Sequence, residues 1–313
     1  MAKWNVLLTD GLEKNGQDLL RQMADVDDKT GISADDLMGI VGNYDALIVR
    51  GRTKVTAAVL DAGKKLKAVV RAGVGVDNID LNAAKEKKII VVNSPLATTV
   101  AVAELTLGMM LSIVRDLPRA DRSMKEGKWL KKEFEGSELN GKTLGVIGMG
   151  RIGAAVIKRA QAFDMNVVGY DPLIPADEIK NRGAEPVSLE TLYQRSDMIT
   201  MHIPLTADSK NLLNAAAFAL MKTGVYIICA ARGGVIDEAA LLEALNSGKV
   251  SGAALDVFSA EPPGLTDLVA HPKVVAIPHI GAQTMEAQSR AAEDIATEIL
   301  RALKDESLRW RVA

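Results

Sequence analysis

The sequence predicts an α/β protein with two doubly wound domains. Short aliphatic or β-branched runs alternate with longer stretches of helical spacing along the chain, which is typical of parallel sheets covered by helices. One of these runs leads directly into a glycine-rich turn. The 313 residues are 48% hydrophobic and 25% charged, which is sufficient for two medium-sized domains with buried cores.

The first part of the chain contains four strand-like runs separated by helix-like stretches. These runs span Val6–Leu8, Ala46–Arg50, Ala68–Arg71 and Ile89–Asn93. After Pro95, apolar residues recur at near-helical spacing from about Val100 to Met124, and we predict one long helix that connects two domains. The apolar content of this helix also predicts a homodimer contact, since such chains usually assemble symmetrically.

The second part contains six strand-like runs, which is the number in a full dinucleotide-binding sheet. These runs span Leu144–Ile147, Val167–Tyr170, Met198–His202, Tyr226–Cys229, Gly252–Asp256 and Val274–Ile277. The segment Met285–Leu303 has the pattern of one amphipathic helix, and we expect it to pack on the first domain. The predicted domains are therefore 1–95 with 285–313, and 96–284.

Composition excludes several classes of function. Lys and Arg number 38 against 40 Asp and Glu, so no global positive charge attracts nucleic acid or an anionic membrane. The longest apolar run, Leu105–Val114, is about half the ~20 residues that cross a bilayer. Residues 1–5 lack the pattern of a secretory signal, and the single cysteine, Cys229, fits a reducing cytoplasm. We predict no metal site.

A glycine-rich turn with the sequence Gly-Met-Gly-Arg-Ile-Gly occupies residues 148–153. It follows an aliphatic strand and opens a helix that reaches about Phe163, which is the context of a dinucleotide-binding turn. Gly148 allows the tight turn, Gly150 lets the backbone approach the pyrophosphate, and Gly153 lets helix and strand pack closely. The amino terminus of this helix attracts the anion, and Arg151 and Ile152 form its first turn.

Asp171 follows the second strand of this unit, where a carboxylate accepts hydrogen bonds from the ribose hydroxyls. Because it repels a 2′-phosphate, we predict NAD rather than NADP. The alternative is that Asp171 only caps the turn before Pro172. A second glycine pair, Gly73-Val74-Gly75, has Asn78 where a third glycine is needed, and we predict a substrate cradle there.

Three further polar residues each follow a predicted strand of the second domain: Arg232, Glu261 and His279. Taken singly, they have ordinary alternatives as a surface cation, a loop acid and a turn histidine. The carboxyl ends of parallel strands meet at one edge of the sheet, where doubly wound sheets bind ligands. Together the three therefore predict an anion clamp, an orienting carboxylate and an acid/base group.

At this point the chain resembles the D-2-hydroxyacid dehydrogenase family along its whole length. The resemblance rests on Arg232, Glu261 and His279 in this order and on three segments, 48–56 (IVRGRTKVT), 71–80 (RAGVGVDNID) and 253–258 (AALDVF). It implies a Rossmann NAD-binding domain inserted into a flavodoxin-like substrate-binding domain. It also implies oxidation of 3-phospho-D-glycerate to 3-phosphohydroxypyruvate with NAD, the first step of serine biosynthesis.

The resemblance assigns a role to each catalytic candidate. His279 is the general acid/base, Glu261 favours its imidazolium form and Arg232 binds the substrate carboxylate. The segment 228–232 departs from the family pattern, which often reads Asn-Cys-Ala-Arg there, but Arg232 is retained. The implied cofactor contacts, in addition to the turn and Asp171, are Val74, Ile203, Pro204, Ala230, Ala231, Asp256, Gly281 and Ala282.

A phosphorylated substrate also requires cations from the first domain. Candidates are Arg50, Arg52 and Arg71, with Lys131 and Lys132 as weaker ones, and each has the alternative of a solvated surface charge. The backbone amides of Gly73, Val74, Gly75 and Val76 are candidates for the substrate carboxylate. We expect the substrate to lie between the domains, so that closure excludes water. His202 and His271 are predicted to be structural.

Two other functions remain open from the sequence. A glyoxylate or hydroxypyruvate reductase has the same fold and catalytic residues but binds no phosphate. An NAD-sensing scaffold of the corepressor type keeps the fold while acting through partner proteins, and the absence of long disordered segments argues against it.

Overall fold

The computed structural model describes residues 3–313 and divides them into two compact units. Unit 1 comprises the described residues up to Thr98 together with Ala282–Ala313, and unit 2 comprises Thr99–Gly281. The sequence-based boundaries were residues 95 and 284. Met1 and Ala2, part of the stretch judged to lack a secretory signal, lie outside the described residues. No helix within residues 3–313 has the length and apolar character needed to span a membrane.

The first segment of unit 1 alternates strands with short helices. The strands are β1 (Trp4–Leu8), β2 (Ala24–Asp28), β3 (Ala46–Val49), β4 (Ala68–Arg71) and β5 (Ile90–Asn93). The helices are α1 (Lys14–Arg21), α2 (Ala34–Ile40), α3 (Ala57–Ala62) and α4 (Leu81–Glu86), with a 3-10 turn at Val41–Asn43. All strands pair in parallel in the order β2-β1-β3-β4-β5, the flavodoxin-like order.

Unit 2 contains a larger sheet. Its strands are β6 (Thr143–Ile147), β7 (Asn166–Tyr170), β8 (Glu185–Pro186), β9 (Met198–Met201), β10 (Val225–Cys229), β11 (Val250–Leu255) and β12 (Val274–Ala276). They are all parallel, in the order β12-β11-β10-β9-β6-β7-β8. The strand order reverses between β6 and β9, as in a Rossmann sheet. The two sheets confirm the predicted fold class.

The helices of unit 2 precede β6 or lie between its strands. They are α5 (Thr99–Val114), α6 (Leu117–Lys125), α7 (Arg151–Gln161), α8 (Ala176–Asn181), α9 (Leu189–Arg195), α10 (Ala215–Leu220), α11 (Glu238–Asn246) and α12 (Asp267–Ala270), with a 3-10 turn at Lys131–Glu133. On β10, Ile227 and Cys229 belong to one buried cluster and Ile228 to another. The sheet is therefore covered on both faces, which explains its near-continuous apolar strands.

The prediction of one helix from Val100 to Met124 is wrong, because the chain breaks between α5 and α6. Asp116 has a φ of 51°, in the left-handed region, so the helix cannot continue through it. Pro118 lacks a backbone N–H and lies in the first turn of α6, where no intrahelical bond needs that donor, so it favours the start of a new helix there. Two strands, β2 and β8, were missed. β2 carries three aspartates on a partly exposed edge strand, and β8 has only two residues.

The last helix, α13 (Met285–Leu303), has the predicted bounds and belongs to unit 1. It packs against α1 at Gly16, where a Cβ atom would lie 2.6 Å from the carbonyl oxygen of Ala292. On the same helix the carboxylate of Glu298 is fully buried. It accepts the Nε–H of Arg309 at 2.9 Å and the backbone N–H of Arg309 at 2.8 Å, and so holds the C-terminal tail.

Replacing Glu298 with Ala should lower the free energy of unfolding by about 2–3 kcal/mol, because backbone and side-chain donors lose a buried charged acceptor. Urea denaturation followed by circular dichroism measures this change. Glu306→Ala, at an exposed position three residues after the end of α13, is the matched control and should shift the free energy of unfolding by less than about 0.5 kcal/mol. Equal effects of both substitutions would contradict the anchoring role.

Candidate active site

The glycine-rich turn follows β6 at the point where the strand order of unit 2 reverses. Gly148 has a φ of 91°, and a Cβ atom there would lie 2.6 Å from the carbonyl oxygen of His202. A Cβ on Gly153 would overlap the carbonyl oxygen of Gly148, so the start of α7 packs directly against the turn. A Cβ on Gly150 would meet nothing within 4 Å. The backbone is thus tightly packed at Gly148 and Gly153 but has free space beside Gly150. This space fits the approach of a dinucleotide pyrophosphate.

Asp171 braces this turn. Its Oδ2 atom accepts the backbone N–H of Met149 at 2.8 Å, and its Oδ1 atom accepts that of Leu173 at 2.9 Å. An ionised carboxylate has about four acceptor sites, so two remain for ribose hydroxyls. Asp171 therefore caps the turn that contains Pro172, which was the alternative to a cofactor role. Its remaining acceptor sites are still available to the hydroxyls of a ribose. Arg182, which sequence reasoning missed, donates from Nη1 to the carbonyl of Met149.

His279 and Glu261 form a close pair within unit 2. The Nδ1 atom of His279 lies 2.7 Å from Oε2 of Glu261, and Oε1 of Glu261 accepts the backbone N–H of Phe258 at 3.1 Å. About half of the His279 side chain is exposed. Because Nδ1 is engaged, the nitrogen left for a ligand is Nε2. The structure brings together two residues that lie on separate loops, as the resemblance implied.

Asp256, at the end of β11, holds the loop that carries His279. Its Oδ1 atom accepts the N–H of Ile280 at 2.7 Å and its Oδ2 atom accepts that of Gly281 at 2.9 Å. Burial raises the pKa of Asp256, and these two N–H bonds oppose the rise. His279 itself has a φ of 51°. Asp256, expected only as a cofactor contact, is thus also bonded to the backbone beside His279.

The other residues predicted in unit 2 lie at the same carboxyl edge. Ala230, Ala231 and Arg232 follow β10, and Nη1 of Arg232 donates to the carbonyl of Ala231 at 2.7 Å. Ile203 and Pro204 follow β9. A Cβ on Gly233 would overlap the carbonyl oxygen of Phe258, so the loops carrying Arg232 and Glu261 lie side by side.

His202, at the end of β9, fits its predicted structural role. Its side chain is partly buried, Nε2 lies 3.1 Å from the hydroxyl of Thr200, and the buried Nδ1 atom has no hydrogen-bond partner among the described residues. Burial lowers the pKa of His202 to about 4, so the imidazole is neutral near pH 7. It carries no charge beside the glycine turn. The buried thiol of Cys229 is likewise inert, because burial raises its pKa to about 11.

Arg50 and Arg52 in unit 1 differ sharply in their surroundings. The guanidinium of Arg52 donates to the carbonyls of Thr9 at 2.6 Å and Ile32 at 2.9 Å, and it pairs with Asp10 at 3.0 Å. It is therefore a structural brace. Arg50 is more buried, with 21% of its side chain exposed against 50% for Arg52, and this burial lowers the pKa of Arg50 while Glu13 and Asp10 oppose the shift. An arginine nevertheless stays protonated in proteins.

The loop at Gly73 is shaped by Arg71. Gly73 has a φ of 149°, and a Cβ there would overlap the guanidinium of Arg71. The N–H of Gly73 donates to the carbonyl of Arg71 at 2.9 Å, so this amide is not available to a substrate carboxylate. Within residues 3–313, the amides of Val74, Gly75 and Val76 have no such partner. Lys131 and Lys132 are exposed and belong to unit 2.

Comparison with known proteins identifies the family. The model described as "D-isomer specific 2-hydroxyacid dehydrogenase, NAD binding domain" matches residues 107–281, more than half of the chain. The chain belongs to the D-isomer specific 2-hydroxyacid dehydrogenase family. NAD is the cofactor of this family's domain, and the open glycine turn in this dehydrogenase fits it. The family and the cofactor predicted from the sequence are confirmed.

Individual relatives are similar to this chain in sequence or in structure. D-3-phosphoglycerate dehydrogenase of Methanocaldococcus jannaschii is 47% identical over 302 residues, which cover 96% of this chain and 58% of that protein. The chain thus spans less than two thirds of that relative. A glyoxylate reductase from Paecilomyes thermophila has a TM-score of 0.92 at 30% identity, covering 100% of this chain and 99% of that one. A D-lactate dehydrogenase from Aquifex aeolicus, complexed with NAD and lactic acid, has a TM-score of 0.84 at 32% identity over 96% of each chain.

Adding a methyl group to the turn should separate packing from cofactor binding. Gly150→Ala meets open space and should leave the melting temperature within about 2 °C of the wild type, while the affinity for NADH falls by about tenfold or more because the pyrophosphate approaches there. Gly153→Ala overlaps backbone and should lower both quantities. Thermal melting and NADH fluorescence titration measure the two effects. Unchanged NADH binding by Gly150→Ala would place the pyrophosphate elsewhere.

Proposed function

We propose that this chain oxidises 3-phospho-D-glycerate to 3-phosphohydroxypyruvate with NAD, the first step of serine biosynthesis. The 2.7 Å contact between His279 and Glu261 is the observation that carries the reaction type, because it supplies an oriented acid/base group. The 47% identity to the D-3-phosphoglycerate dehydrogenase of M. jannaschii supports the substrate. The protein is expected to act in the cytoplasm as a homodimer or a higher homo-oligomer.

In this proposal His279 moves the proton. Glu261 holds Nδ1 and stabilises the imidazolium, which leaves Nε2 to take the C2 hydroxyl proton during oxidation and to return it during reduction. The glycine-rich turn would hold NAD, which would supply the hydride acceptor for C2. Asp256 keeps the backbone after His279 in place through the N–H groups of Ile280 and Gly281, so the base does not have to be repositioned in each cycle.

Three arginines bind the two anionic ends of the substrate. Arg232 holds the carboxylate and polarises the C2 oxygen, a task that suits a planar guanidinium better than an ammonium. Arg50 and Arg71 bind the phosphate, whereas Arg52 is excluded because two carbonyls and Asp10 occupy its donors. The amides of Val74, Gly75 and Val76 supply further donors to an anion.

The substrate proposal is tested by comparing reduction of 3-phosphohydroxypyruvate, hydroxypyruvate and glyoxylate with NADH. The value of kcat/KM should be at least about tenfold higher for the phosphorylated acid, since a charge-assisted contact contributes about 1.5–3 kcal/mol. Arg50→Ala should remove most of this preference. A preference for glyoxylate that is insensitive to Arg50→Ala indicates a reductase for small acids, and no turnover of any acid indicates a scaffold that binds NAD.

The role of Glu261 is tested by its effect on the rate. Glu261→Gln replaces the carboxylate that lies 2.7 Å from Nδ1 of His279 with an amide, so the ring is less firmly oriented and kcat for oxidation should fall by about tenfold or more. Glu238→Gln is the matched control, since this carboxylate bonds Ser259 at 2.6 Å and not His279, and its kcat should stay within about twofold of the wild type. An unchanged kcat in Glu261→Gln removes Glu261 from this role.

A further inference from the structure

The guanidinium of Arg50 is surrounded by three acceptors of unit 1. Its Nε–H donates to the carbonyl of Gly11 at 3.2 Å, and its Nη1 atom donates to Oε1 of Gln288. Its Nη2 atom lies 3.9 Å from Oε1 of Glu13. Only 21% of the Arg50 side chain is exposed, so these neighbours determine where its remaining donors point.

The distance to Glu13 is the unusual feature of this arrangement. At 3.9 Å the two groups attract each other but form no hydrogen bond. A carboxylate is a stronger acceptor than a carbonyl or an amide, and a paired contact with Glu13 would use both ends of the guanidinium. Arg50 would then have fewer donors for a substrate. Another contact must therefore hold Arg50 away from Glu13.

Gln288 provides this contact. Its Oε1 atom accepts from Arg50, while its Nε2 atom donates to the carbonyl of Ala282 at 2.7 Å. The second bond fixes which end of the amide faces Arg50. It also ties the guanidinium to the backbone at Ala282, three residues after His279.

Glu13 and Gln288 have fixed positions relative to each other. Glu13 is the N-cap of α1, and Gln288 is in the first turns of α13. These two helices pack closely where Gly16 meets Ala292. The competition between Gln288 and Glu13 for Arg50 is therefore built into one rigid pair of helices.

We propose that Gln288 is a positioning residue that keeps the guanidinium of Arg50 out of a hydrogen-bonded pair with Glu13, so that its Nη2 donors remain available to the phosphate of the substrate. Glu13 is then an internal competitor of the phosphate. This inference rests on the proposed function for the identity of the anion, and on the contacts of Arg50 for the mechanism.

The test uses Gln288→Met, which keeps the length of the side chain and removes both hydrogen bonds, with Glu13→Gln and the double variant. In Gln288→Met, Arg50 turns to Glu13, so KM for 3-phosphoglycerate should rise about tenfold, equivalent to about 1.4 kcal/mol. The competitive inhibition constant of inorganic phosphate should rise in parallel. In the double variant Glu13 is neutral, and both constants should return to within about threefold of the wild type.

Gln194→Met, an exposed glutamine on α9 of unit 2, is the matched control and should change neither constant. NADH fluorescence titration and thermal melting establish that each variant is folded and binds the cofactor. An unchanged phosphate inhibition constant in Gln288→Met overturns the proposal. So does a loss that Glu13→Gln fails to restore, because Gln288 would then act through something other than this competition.

Failure of the proposed function gives a different result. If the wild type does not prefer the phosphorylated acid, the assigned substrate is wrong. The inhibition constants of inorganic phosphate in the four proteins then still decide whether Gln288 and Glu13 compete for Arg50.

Discussion

The strands of each sheet pair with one another in parallel, and this constraint determines where chemistry can occur in the protein. In a parallel sheet all carboxyl ends meet at one edge, and the loops that leave this edge carry the candidate site. In unit 2, the glycine turn follows β6, Ile203 follows β9, Arg232 follows β10 and Asp256 follows β11. The reversal of strand order between β6 and β9 directs the flanking helices to opposite faces. The resulting crevice is what a dinucleotide requires.

Three aspartates hold loops of the two units in the same way, by accepting backbone N–H groups. Asp171 bonds the N–H groups of Met149 and Leu173, and Asp256 bonds those of Ile280 and Gly281. Asp10 bonds those of Arg50 and Thr53 in unit 1. Each of these aspartates lies shortly after a strand. Its carboxylate accepts two backbone N–H groups of a loop, which form no hydrogen bond to a neighbouring strand. The backbone beside each candidate site is therefore set before a ligand arrives, which reduces the reorganisation that binding requires.

Hydrogen-bond partners also distinguish Arg50 from Arg52 in unit 1. Arg52 is bound by two backbone carbonyls and Asp10, and it stabilises the loops around β1 and β3. Arg50, two residues earlier, makes weaker contacts and retains donors for an anion. The two arginines, separated by one residue and chemically identical, therefore differ only in their surroundings.

The sequence by itself determined the fold class, the strands with apolar runs, the glycine turn and the helix Met285–Leu303, because these features depend on local patterns of burial and backbone geometry. It also predicted Glu261 and His279 as catalytic candidates, and the structure places their side chains 2.7 Å apart. Only the tertiary structure decided the break at Asp116, the different contacts of Arg50 and Arg52, and the hydrogen bonds of Arg182 and Gln288. Arg50 and Gln288 are 238 positions apart, and no local pattern records a contact made only when distant elements pack.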